Sequence, residues 1–138
     1  MTNALTRPET VVSWLCQLAA AAILLQTLFF KFTGAAESVY IFSTLGLEPW
    51  GRIGSGVAEL VAAILLLMPA TAALGAVIAM GSMTVAILSH LTLLGIEVRG
   101  DGGLLFGLAA TVLVCSLIVL YLRRFDLPIA GAWLARAE

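Results

Sequence analysis

Charge is what this sequence has least of: seven Lys or Arg and eight Asp or Glu among 138 residues, against 62% hydrophobic residues and a mean hydropathy of +1.10. A soluble domain of this size has a large surface for its volume and must coat much of it with polar groups. These residues do not supply that coat, so lipid is expected to cover most of the molecule. A basic excess is missing too. Net charge is −1 with no stripe of Lys or Arg, which leaves nucleic acid no electrostatic footprint. Histidine occurs once and cysteine twice, with no CxxC and no Cys/His pair, so neither a metal centre nor a disulfide framework is signalled. Cys16 and Cys115 lie inside long apolar runs and read as small buried apolar residues. No flavin, haem or iron–sulfur motif is evident, and no intrinsic cofactor is expected.

What is present is long hydrophobic runs. After Met1 to Thr10, which carries one Arg and is followed by no convincing cleavage site, Val11 to Phe30 is long enough to span and reads as a retained helix ending at Lys31. Phe32 to Arg52 mixes Gly34, Glu37, Tyr40, Gly46, Glu48, Pro49 and Trp50; it is too polar to cross and predicts a short interfacial helix. A second span is expected over 53–68 and a third over 70–95, separated only by Pro69, so the two must be antiparallel neighbours. Ala72, Gly75, Ala76, Ala79, Gly81 and Ser82 recur at spacings of three and four, which permits close helix approach. Ile96 to Gly103 reads as a polar loop, 104–122 as the fourth span closing at Arg123 and Arg124, and the tail with Trp133 as an interfacial segment. The fold expected is all-α: one integral membrane domain over 1–138, an up-down four-helix transmembrane bundle with a short interfacial helix between its first two spans. Arg7, Arg123, Arg124 and Arg136 then face Lys31, Arg52 and Arg99 across the bilayer, which favours cytoplasmic termini in the inner membrane.

Folding the spans gathers polar residues at one end. Gln26, Glu59 and His90 each fall roughly 8 to 10 Å inside the same membrane face at 1.5 Å per residue. Ionisable groups facing lipid cost at least a few kcal/mol, so Glu59 and His90 are expected to point inward; at similar depth on adjacent helices they could form a hydrogen-bonded pair, with Gln26 or Lys31 completing a small polar cavity. Two readings stand for each. Glu59 is a structural salt bridge to Lys31 or Arg52, or a functional carboxylate; His90 is a helix-to-helix hydrogen bond, or a proton- or ligand-handling group. Gln26 reads as structural glue. Glu48, Arg52, Glu97, Arg99 and Asp101 read as a rim, with Arg52 and Arg99 able to attract an anion.

Several of these segments resemble a known family. Lys31-Phe32-Thr33-Gly34, Leu45-Gly46-Leu47-Glu48-Pro49, Gly56-Val57-Ala58-Glu59-Leu60 and Leu65-Leu66-Leu67-Met68-Pro69 resemble the DoxX-like family of small four-helix membrane proteins. Ser89-His90-Leu91 and Gly100-Asp101-Gly102-Gly103-Leu104-Leu105-Phe106 extend the similarity to about residues 12 to 124. The resemblance implies a four-span bundle with Lys31, Glu59 and His90 as the matching polar positions. Its members diverge in role. DoxD-type proteins are a membrane subunit of thiosulfate:quinone oxidoreductase, other bacterial members associate with redox enzymes, and eukaryotic relatives act as chaperones for ion-channel subunits.

The function expected is therefore a membrane subunit whose cavity, lined by Glu59, His90, Gln26 and Lys31, binds a lipid-soluble molecule such as a quinone and serves a redox partner. The alternative is a chaperone or assembly partner for another membrane protein. A proton-coupled transporter is disfavoured, because four spans without a repeat make alternating access hard to build except as a dimer. The partners expected are the bilayer, a redox enzyme or other membrane protein, and a second copy of the chain.

Overall fold

The computed structural model describes residues 4–137, and every regular element among them is helical. Met1–Asn3 and Glu138, the extremities of the expected N-terminal segment and tail, lie outside the described residues. The α-helices are α1 (Arg7–Phe32), α2 (Ala36–Thr44), α3 (Trp50–Leu66), α4 (Ala72–Ser89), α5 (Leu104–Leu122) and α6 (Ala130–Ala137). Short 3₁₀ turns occupy Pro69–Thr71 and Arg124–Asp126, and a single π-helical turn, His90–Leu94, prolongs α4.

Local chemistry sets the ends. α1 begins before the apolar run because Thr6 and Glu9 form a capping box, in which the Glu9 carboxylate accepts the Thr6 N–H at 2.8 Å and Thr6 Oγ1 accepts the Glu9 N–H at 3.5 Å. α3 stops at Leu66, short of the expected Met68, because Met68 precedes a proline and takes the extended conformation that position favours. Three stretches, Arg7–Phe32, Pro69–Leu94 and Leu104–Leu122, are long and apolar enough to cross a bilayer, which marks a helical membrane protein. α3, at 17 residues, is the short one.

α1 packs on α3 and α5, and α4 packs on the same two, so these four helices close into a ring. Its core is made of small side chains, including Ala20, Ala21, Ala62, Ala63, Ala76 and Ala79. Gly75 explains the closeness of α3 and α4: a Cβ there would stand 2.7 Å from the Leu66 backbone nitrogen and 2.9 Å from the Ala62 carbonyl oxygen. α2 packs against α1, α3 and the π turn at one end of the ring, while α6 rests on the Arg124–Asp126 turn at the other. The distribution of polarity is inverted relative to a soluble domain. Ser13, Gln17, Glu59, His90, Ser116 and Arg123 are buried, whereas Ile53, Val57, Val61 and Ile64 form an exposed apolar stripe along α3.

Candidate functional site

Glu59 sits just past the middle of α3 and is buried among α1 and α4 side chains. Lys31, in the last turn of α1, reaches it with Nζ 2.5 Å from Oε1. Ser82 on α4 donates to the same oxygen at 3.2 Å, and Thr27 lies 3.5 Å from Oε2. One carboxylate thus ties three helices of the ring. The Lys31 ammonium also stands 5.9 Å from the centroid of the Phe42 ring on α2, which brings the fourth nearby element to the same point. A buried carboxylate without such a cation would be costly, so the pair is mutually obligatory.

His90 opens the π turn, and the bond to Glu59 that their shared depth allowed is not formed. Its Nδ1 lies 2.8 Å from the Gly95 carbonyl oxygen, and the Gly95 N–H donates to the His90 carbonyl at 2.8 Å. This reciprocal clasp closes the π turn and engages the Nδ1 edge of the ring with Gly95 rather than with α3. Phe106 of α5 fixes the ring edge-on, centroids 5.7 Å apart. Gln26 lines the same cavity but is exposed, and its neighbour Thr27 makes the contact to Glu59.

The rim residues are engaged in the protein. Arg52 forms a forked ion pair with Glu48, Nη2 to Oε1 at 2.7 Å and Nε to both carboxylate oxygens at 2.9 Å, and also donates to the Lys31 carbonyl at the end of α1. Arg99 donates to the Ala36 carbonyl at 3.4 Å and stacks over Tyr40, so the 96–103 loop leans on α2. Asp101 is a cap: its carboxylate accepts the N–H groups of Val98, Gly103 and Leu105 at 2.9, 2.9 and 3.0 Å, ordering the loop and the first turn of α5. Burial pushes this carboxyl up, but the Leu105, Val98 and Gly103 N–H groups together outweigh it and hold it below the ordinary aspartate value.

Between these groups lies a cavity of about 650 Å³, with Lys31, Glu59, Ser82 and His90 on its wall and Ile23, Phe42 and Leu108 among its apolar lining. That volume and that mixture, mostly apolar with a few convergent polar groups, are those of a small-molecule site. No family model, curated protein or solved structure matches the chain. Among the described residues no three His, Cys, Asp or Glu side chains gather as a metal site, and Cys16 and Cys115 are free thiols packed against the core.

A second buried polar cluster, at the other end of the ring, was not anticipated. Arg123 was expected as an interfacial charge closing the fourth span, yet it turns inward and is 8% exposed. Its Nε donates to Ser13 Oγ at 2.7 Å and Gln17 Oε1 at 3.1 Å, and Nη1 donates to the Pro69 carbonyl at 3.3 Å. Gln17 in turn donates to the Leu66 carbonyl at 2.6 Å, and Asp126, on the surface, lies 3.6 Å from Arg123. The cluster satisfies carbonyls that the Pro69 turn leaves without helical partners. The signal for it was Ser13 and Gln17 at i, i+4 on one face of α1, opposite an arginine at matching depth.

Proposed function

We propose that this protein is a DoxX-like four-span membrane subunit whose cavity binds a lipid-soluble molecule with a polar head, such as a quinone, and that it serves a redox partner in the inner membrane. The observation that carries this reading is the buried Lys31–Glu59 pair set in the wall of a cavity of about 650 Å³ whose lining is otherwise largely apolar. An ion pair placed only for stability would be packed over; here it borders space. The short α3 serves as the remaining span in this reading. Its 17 residues reach roughly 26 Å at 1.5 Å each, and the Ile53, Val57, Val61 and Ile64 stripe gives it a lipid-facing side. The order of the DoxX-like motifs along residues 12–124 supports the family reading, with Lys31, Glu59 and His90 at its matching positions.

The test is direct. Protein purified in mild detergent is extracted and assayed for quinone, and the affinity of a short-tailed benzoquinone is measured for wild type and Glu59→Gln. Co-purified quinone and at least a tenfold loss in the variant are expected; the absence of both would end the ligand reading. Topology is checked by a cysteine placed at Thr71, which labels from the cytoplasmic side if the termini are cytoplasmic. Labelling from the periplasm alone would reverse that placement.

A further inference from the structure

Hydrogen-bond donors around the cavity are largely spent on the protein itself. A hydroxyl has one proton to give. Ser82 gives its proton to Glu59, Thr27 to the Leu24 carbonyl at 2.9 Å, Ser55 to the Arg52 carbonyl at 3.1 Å, and Ser89 to the Val85 carbonyl at 2.8 Å. All four residues line the cavity, and with its proton engaged each hydroxyl has only lone pairs to offer a ligand.

His90 is committed in the same sense. The partner of its Nδ1 is a carbonyl oxygen, which can only accept, so the proton is assigned to Nδ1. In the neutral imidazole Nε2 then carries a lone pair. That nitrogen has no hydrogen-bond partner among the described residues, although the residue is only 5% exposed and lies on the cavity wall. Glu59 adds a second acceptor, since Oε1 takes the short bonds from Lys31 and Ser82 while Oε2 has only the long contact from Thr27. Against these stand the remaining N–H bonds of Lys31, the Ser38 hydroxyl and the exposed Gln26 amide.

We propose that the cavity selects a head group that donates a hydrogen bond, a hydroxyl-bearing ring such as a hydroquinone or phenol, over one that presents only carbonyls. The inference rests on the reading of the cavity as a ligand site and deepens it. A hydroxyl accepts from Lys31 and donates onward to Glu59 or His90. A carbonyl can use Lys31 but sets its own lone pairs against those of Glu59 and His90, leaving buried acceptors unpaired. Sites built to pair with a hydroxyl reject analogues that lack it far more strongly than apolar pockets discriminate by size.

Three probes with one decyl tail separate the possibilities: a benzoquinone, its hydroquinone held reduced without oxygen, and the dimethyl ether of that hydroquinone, which has similar size but no proton to donate. Binding of each to the full chain in detergent is measured for wild type and for His90→Phe, with thermal unfolding of both as a check on folding. The expected result is hydroquinone binding at least tenfold tighter than the other two, the preference narrowing several-fold in His90→Phe. Because the readout is a ratio between probes, partial loss of folded variant does not mimic it. Should His90→Phe fail to fold, the wild-type ratio against the dimethyl ether carries the test. Equal binding of all three overturns the donor preference and leaves the ligand reading standing. Binding of none overturns both.

Discussion

The two ends of the helical ring bury similar chemistry and do opposite things with it. Near the Pro69 turn, Arg123, Ser13 and Gln17 are buried and spend their hydrogen bonds on one another and on the backbone carbonyls of Leu66 and Pro69. Near the π turn, Lys31, Glu59 and His90 border open volume. The contrast is visible within one helix. At Gly75 of α4 an added Cβ collides with the backbone of α3, whereas at Gly81, six residues on, it would meet nothing within 4 Å. A buried polar group thus says little about function until the space beside it is known: the first end is a clasp, and the second has room for something that is not protein.

The sharpest way to break this comparison is at the tight end. Gly75→Val forces α3 and α4 apart and is expected to cost about 3 kcal/mol or more, read as a large fall in unfolding temperature in detergent. Next in size is Arg123→Leu, which strips Ser13, Gln17 and the Pro69 carbonyl of a donor; about 2 kcal/mol is expected, and Arg123→Lys should recover little of it because a lysine lacks the fork that reaches both α1 and the turn. A near-neutral result for Arg123→Leu would mean that the cluster is incidental and the two ends differ less than described.

Asp101→Asn comes third, at about 1 kcal/mol, because an amide presents an N–H toward one of three donors. The carboxyl is held below its ordinary value in the folded state. Its contribution is therefore fully present above the unfolded aspartate pKa of about 3.9 and is lost as pH falls through the lower folded value. Acid unfolding of the wild type should accordingly steepen below about pH 4 relative to Asp101→Asn. The smallest effect on stability is expected at the roomy end. Gly81→Leu should change the unfolding free energy by less than about 1 kcal/mol while abolishing probe binding, since its side chain fills the cavity rather than the core. A collapse of stability there equal to that of Gly75→Val would erase the distinction.

Much of this architecture was legible because hydrophobic runs, Pro69 and the capping residues act locally. The three long apolar helices, the short helix after the first of them and the Pro69 turn follow from residue order alone, and the contact of Lys31 with Glu59 was among the pairings the sequence left open. Three features were hidden for physical reasons. The π turn opens at His90 and brings the Gly95 carbonyl within reach of its ring, a bond that a depth count along a regular α-helix cannot see. Asp101 reads as a solvated charge until the loop glycines fold its carboxylate back on three backbone N–H groups; Gly103, at φ +84, supplies the left-handed step that makes this possible. Arg123 reads as an interfacial anchor because arginines at helix ends normally extend to the headgroups, and only the unsatisfied carbonyls of a turn on another helix pair turn it inward.

That inward arginine also fixes an order of events. The groups that receive it come from the beginning of the chain, Ser13 and Gln17, and from its middle, Pro69, while Arg123 itself arrives last from the ribosome. α5 alone would hold an uncompensated cation at the membrane boundary, and α1 with the α3–α4 hairpin would hold bare acceptors. α5 is stable in its seat only when α1, α3 and α4 are already assembled. Arg123 thus ties the seating of α5 to the packing of α1 beside the Pro69 turn: without them its inward guanidinium loses Ser13, Gln17 and the Pro69 carbonyl together.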